Sequence, residues 1–310
     1  MQWIWLAVLG QFFNAIVAIL DKYIVSDERA IPRPFVYGFY SCLLAGVWVA
    51  IYALGYVPFL AALGAPQMSN VEAPDLVIIS MAFFAAYTFF LALVSMFDAL
   101  KHDTPSNVMP VVGAVAAIAS VGMSYVLLDT VLANNALLGV MLLAIGTLLV
   151  SQANFTLPLA LMIVHSGIFF ALNLVTLKGL FDMTSFDNGF FWSRVALVLF
   201  ALSLLLIPAY LKKIRKGTEH TTVAGGAIVL LTKFIGGIAG FLLLTATAIG
   251  EVSVVQALDG LKFVFVLFLS YFVTLWWPQH ATERGVRPQE VIRKVLYVSI
   301  IVLGFVVLFV

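Results

Sequence analysis

The chain has 310 residues, of which 63% are hydrophobic and 10% charged, with a formal net charge of +1; its mean hydropathy is +1.11. Soluble domains carry about 25% charged residues, so polar groups cannot cover this surface and lipid must solvate most of it. The balanced charge excludes nucleic acid as a partner, since no basic stripe neutralises phosphates. A single cysteine, Cys42, excludes a disulfide framework or thiolate metal site within one chain and reads as a small packing residue.

A hydrocarbon core about 30 Å thick takes roughly 20 helical residues at 1.5 Å rise. On that measure the chain holds ten apolar segments: Trp3–Val25, Pro34–Val57, Asp75–Phe97, Pro105–Leu128, Val131–Ser151, Thr156–Leu177, Phe186–Tyr210, Val223–Ala248, Val252–Trp277 and Val295–Val310. Turn or charge signals separate them, among them Asp27-Glu28-Arg29, Gly64-Ala65-Pro66, Lys101-His102-Asp103, Gly250-Glu251 and Pro278-Gln279. Trp3, Trp5, Trp276 and Trp277 read as interfacial anchors. The first segment lacks a basic leader and a small-residue cleavage site, so it is expected to be a retained helix. The linkers, the longest being Pro58–Pro74, Leu211–Thr222 and Pro278–Lys294, are too short for a soluble domain. Chemistry therefore belongs to the bundle.

The two halves repeat in order. Gly10-Gln11-Phe12-Phe13 in segment one returns as Gly167-Ile168-Phe169-Phe170 in segment six, and Phe39-Tyr40-Ser41 as Phe191-Trp192-Ser193. Ser106, Val108 and Gly113 match Ser253, Val255 and Gly260 at one constant offset. An odd number of spans per repeat makes the second half enter the membrane upside down, the inverted plan of many transporters. The expected fold is all-α and integral to the membrane: ten transmembrane helices as two inverted five-helix repeats, 1–151 and 156–310.

On these residues, with Ser106-Asn107-Val108-Met109-Pro110 opening segment four and the run from Gly260 through Pro278, Glu283 and Gln289 to Gly304, the chain resembles the EamA-type ten-helix branch of the drug/metabolite transporter superfamily. Asp129 departs from that pattern, standing where the family usually has a Gly-Glu pair. The resemblance implies a permease with a central cavity that moves a small metabolite, each half being one EamA-like repeat. It also implies both termini inside the cell.

Charge argues the opposite orientation. Of 16 Lys and Arg residues, loops after odd-numbered segments, helix ends included, hold twelve and even-loop ends only Lys178, the other three lying deep within segments. Cytoplasmic loops collect Lys and Arg, which puts both termini outside. The expected location is the plasma membrane, or the inner membrane of a Gram-negative-type cell.

Ionised groups inside a bilayer cost at least about 2.5–3.5 kcal/mol each on insertion scales and face partners or wet cavities. Asp259 and Lys262 share one helix face, three residues apart. Arg194 lies about eight residues into segment seven and Asp259 about seven into segment nine, both entered from the same side, so they share a depth of roughly 10–12 Å. The expectation is an Arg194–Asp259 pair, either a fixed structural bridge or a gate broken in each cycle. Lys262 and Lys233 lie deeper and would form a positive midplane site for a carboxylate or phosphate, unless Lys233 snorkels or bonds a carbonyl. Lys233 precedes Gly236-Gly237 and Gly240, where a neighbouring helix can approach closely. His165 either carries a coupling proton or is a hydrogen-bonded packing residue. Asn14 and Asn173 either line the cavity or bridge helices. Asp21-Lys22, at a helix end, is expected to be solvated, and Lys212-Lys213-Ile214-Arg215-Lys216 to set topology near anionic lipid.

No Walker loop, zinc-protease motif or nucleophile elbow is present. No cofactor, metal or catalytic residue is therefore expected. The expected activity is secondary active transport by alternating access of a small anionic or zwitterionic metabolite, with a coupling ion or an exchanged metabolite and membrane lipid as the other partners. The alternative is an intramembrane lipid-handling protein or enzyme, a flippase or head-group transferase. A scaffold subunit is a third.

Overall fold

The computed structural model describes residues 2–59, 66–150, 155–276, 299–301 and 303–307. Among them the regular structure is helical throughout. In chain order the helices are α1 Gln2–Ser26, α2 Pro34–Gly46, α3 Leu76–His102, α4 Pro105–Leu128, α5 Asn134–Val150, α6 Leu157–Met183, α7 Phe186–Leu205, α8 Pro208–Thr218, α9 Val223–Ile249, α10 Val252–Ala257 and α11 Asp259–Trp276. Residues 299–301 and 303–307 are helical too, and Ile301 and Gly304 lie against Gly146 and Leu143 of α5. Seven helices or continuous helical stretches are long and apolar enough to cross a membrane, and Asn134–Leu149 is a shorter apolar one. Trp277, Glu283, Gln289 and the basic cluster Arg284, Arg287, Arg293 and Lys294 lie outside the described residues.

Local chemistry sets the boundaries. Asp75, Ser185 and Thr222 cap α3, α7 and α9 by accepting from the backbone N–H three residues on. Pro34, Pro105 and Pro208 stand in the first turn of their helices, where a missing N–H costs nothing. Pro208 also ends the seventh span early. Tyr210, expected within it, belongs instead to α8, a helix the sequence reading took for a loop. This helix turns Ile214 inward, rests Gly217 on Val36 and holds Lys213 4.4 Å from the Phe35 ring centroid. At the end of α4, Asp129 adopts left-handed backbone with φ 51, the conformation glycine takes most easily.

The connections after α1, after α3 and before α9 meet at one end of the bundle. Lys22 donates to the carbonyls of Leu100 and Asp103, Lys101 to that of Pro32, and Thr222 N–H to that of Arg29. At the other end Asn70 and the Gln67 N–H donate to Asp187, and Trp192 to the Glu72 carbonyl.

Between these ends α3 packs along α6 and α1 along α9, the two most extensive contacts; α2 faces α7, and α4 faces α10 and α11. Both Gly-x-Phe-Phe glycines lie at close approaches. A Cβ on Gly10 would meet Leu243 at 2.8 Å, and one on Gly167 would meet Val115 at 2.7 Å. Of Gly236, Gly237 and Gly240, only Gly237 is tightly covered, by the Trp48 indole, whereas Gly240 faces open space. Cys42 is buried in the core. Large apolar side chains such as Trp5, Leu76 and Val223 are instead strongly exposed, as a lipid-facing surface requires.

Candidate functional site

The helices enclose a cavity of about 260 Å³. Its polar lining comes from α1 (Gln11, Asn14, Asp21), α2 (Ser41), α6 (Asn173), α7 (Ser193, Arg194), α9 (Lys233), α10 (Gln256) and α11 (Asp259, Lys262). Helix geometry places Arg194 about 12 Å and Gln11 about 14 Å from the end at which α1 and α7 begin. Lys233 lies about 15 Å from the opposite end. The site is therefore deep in the bundle.

Two ion pairs occupy the cavity wall. Lys233 Nζ lies 3.1 Å from Asp21 Oδ1, with side chains only 12% and 5% exposed. The Tyr37 hydroxyl donates to the same carboxylate oxygen. The ammonium also sits 3.9 Å from the Tyr37 ring centroid and 5.1 Å from that of Phe97, so π faces supplement the carboxylate. Asp21 is thus not solvated as its position near a helix end suggested. Its carboxylate is what makes a buried Lys233 tolerable. The second pair joins Lys262 Nζ to both oxygens of Asp259 at 2.8 Å. α10 breaks at Leu258, so Asp259 opens α11. Gly113 of α4 leaves the carboxylate its space, since a Cβ there would stand 2.6 Å from Asp259 Oδ2.

The expected Arg194–Asp259 bridge is absent: Lys262, one turn along the same helix, takes the carboxylate instead. Among the described residues nothing accepts a hydrogen bond from the Arg194 guanidinium. Its Nε is buried without a partner, and its central carbon lies 5.1 Å from the Phe190 ring centroid. Three cations (Arg194, Lys233, Lys262) against two carboxylates (Asp21, Asp259) leave one uncompensated positive charge on the wall, on Arg194.

The remaining candidates divide. Asn14 lines the cavity. Asn173 does both things proposed for it: it lines the cavity and donates from Nδ2 to the Ala85 carbonyl at 2.8 Å, tying α6 to α3. His165 is not in the lining. Its Nδ1 lies 2.8 Å from Ser95 Oγ of α3, and its ring centroid 4.4 Å from that of Phe169, one turn along α6. The sequence reading missed Asp21, Gln11 and Gln256. Gln256 was within reach, standing three residues before Asp259 on the same helical face. Gln11 lies inside the Gly-x-Phe-Phe repeat. Among the described residues no cluster of three or more His, Cys, Asp or Glu could hold a metal ion.

These features define an α-helical multi-pass membrane protein with a charged internal chamber. No protein-family model matches the sequence, and no curated protein matches it. A solved crystal structure of another protein is similar, with a TM-score of 0.60 over 98% of this chain and 96% of that one at 17% identity. At that identity the likeness is one of fold alone, and it extends over nearly all of both chains.

Proposed function

We propose that this chain is a secondary transporter, an EamA-type carrier of the drug/metabolite superfamily with ten spans in two inverted halves, 1–151 and 156–310. The observation that carries the reading is the deep cavity whose charged wall is drawn from both halves: Asp21 from the first, and Arg194, Lys233, Asp259 and Lys262 from the second. The helix pairing supports the inverted repeat. Exchanging the halves turns the α3–α6 contact into α9–α1, and leaves α2–α7 and α4–α10/α11 matched with themselves. Alternating access follows from rocking one half against the other around the cavity. The Asp21–Lys233 pair bridges α1 and α9 toward one end, and Asp259–Lys262 lies toward the other, so opening either mouth changes the surroundings of one pair.

Purified protein reconstituted in liposomes that enclose a metabolite extract should exchange at least one small solute with an outside mixture, read by mass spectrometry. The absence of protein-dependent exchange for every solute would overturn the carrier reading. For orientation, the Lys and Arg bias supports odd loops inside the cell. In a Cys42→Ala background, Glu219→Cys should resist impermeant thiol reagents in intact cells, and Ser69→Cys, beside Asn70, should be labelled. The reverse pattern would place both termini inside.

A further inference from the structure

We infer that the cavity is a receptor for a small monocarboxylate carrying hydroxyl donors, a hydroxy acid or sugar acid, seated on Arg194 and on the carboxamides of Gln11 and Gln256. The inference deepens the carrier reading and rests on it for transport, though not for binding. Its ground is which groups in the wall are spoken for and which are not.

Lys233 and Lys262 each hold a carboxylate. The Ser41 and Ser193 hydroxyls donate back to the carbonyls of Tyr37 and Phe190 in their own helices, and Asn173 donates to Ala85. Against this background three buried atoms in the cavity residues have no partner among the described residues: Arg194 Nε, Gln11 Oε1 and Gln256 Oε1. Gln11 and Gln256 are only 2% and 7% exposed. Neither carboxamide makes a hydrogen bond to any described residue, and a ligand hydroxyl can donate to Oε1 or accept from Nε2, so the match holds for either orientation of the amide. A buried polar group without a partner is costly, and a ligand that draws these side chains toward itself removes the cost.

The ligand's chemistry follows from the three groups. Arg194 presents a planar N–H fork, which matches a carboxylate bidentately. The two amide oxygens accept, so they require N–H or O–H donors from the same molecule. Charge then selects among donors. The wall carries one unpaired positive charge, which a monoanion neutralises. A zwitterion leaves that charge in place, and a dianion such as hydrogen phosphate overshoots it. Neutral hydroxyls satisfy the amide oxygens without adding charge. Size agrees: the cavity, about 260 Å³, lies just below the range of about 300–1,000 Å³ typical of drug-sized ligands.

The test uses full-length protein in lipid nanodiscs, with thermal shift and calorimetry on propionate, lactate, glycerate, gluconate, serine, glycerol and inorganic phosphate. Glycerate or gluconate should bind at least about tenfold more tightly than propionate, which lacks the donors, and than serine or phosphate. Arg194→Gln should lose about a hundredfold in affinity for the best acid with an unchanged or raised melting temperature. Gln11→Leu and Gln256→Leu should each weaken glycerate and gluconate while leaving propionate unchanged, a split that a misfolded variant would not produce. Should serine, glycerol or phosphate bind best, or no member bind at millimolar concentration, the inference is overturned. The two readings fail separately. Glycerate binding without uptake into proteoliposomes removes the carrier, whereas uptake of another solute unaffected by Arg194→Gln removes this site.

Discussion

Asp21→Ala is expected to be among the most damaging single substitutions in the protein. It leaves the Lys233 ammonium buried without its carboxylate, and breaking a buried pair from one side costs about 3–5 kcal/mol. Tyr37 loses its acceptor at the same time, since its hydroxyl donates to Asp21. Only the Tyr37 and Phe97 ring faces stay with the cation, and cation–π contacts supply about 2 kcal/mol when desolvated. The double substitution Asp21→Ala with Lys233→Met should recover most of the loss, because it removes both charges and fills the space with an apolar side chain. Unfolding of detergent-solubilised protein by heat or by SDS checks this. Equal damage in the single and double variants would show that the pair does not hold α1 to α9. Transport should fail in both variants if separation of this pair belongs to the cycle, so stability and uptake need measuring together.

The second large effect concerns Asp259. Asp259→Asn strands Lys262, and the loss should again fall at about 3–5 kcal/mol. The informative comparison is between two double mutants. With Lys262→Gln the losses should be strongly non-additive, by about 0.5–3 kcal/mol, as expected for groups in direct contact. With Arg194→Gln they should add, because Lys262 holds the carboxylate and Arg194 does not. Arg194→Gln alone should cost little or even stabilise, since it removes a positive charge that has no counter-ion among the described residues. Coupling of Asp259 to Arg194 rather than to Lys262 would reverse the assignment of partners in the wall.

Both experiments turn on pairings that lie far apart in the chain, and they mark where reading the sequence stopped working. Depth was legible. Counting residues from a helix end placed Arg194, Lys233, Asp259 and Lys262 well inside the bundle, and all four line one cavity. Depth is one coordinate of three, however. Arg194 and Asp259 share it, and they still do not meet. Which face of a helix looks inward is hard to read when lipid and protein interior are equally apolar. The usual stripe that marks the buried side of a soluble helix is then weak. His165 shows the consequence: its depth suits a coupling role, but its helix turns it to Ser95 and Phe169. Asp21 shows the converse. Five residues from the end of α1, it looked solvated, and it is drawn into the interior by a lysine 212 positions away.

The sequence by itself determined the solvent of this protein and the course of its backbone. Too few charges to cover a water-facing surface, apolar runs of bilayer length, and proline, glycine or charge between them specify apolar helices and most of their ends. These are properties of composition and local order, to which distant residues contribute little. Breaks inside a run were not legible: Pro208 ends one helix and starts another, and Leu258 divides α10 from α11, inside runs that hydropathy alone joined together. Tertiary structure decided the rest: that Lys233 is neutralised by Asp21, that Lys262 takes Asp259, and that Arg194, Gln11 and Gln256 are left without partners among the described residues. An ion pair or hydrogen bond forms only when helix rotation and tilt bring two groups within about 3 Å, and those two angles are set by the packing of the whole bundle.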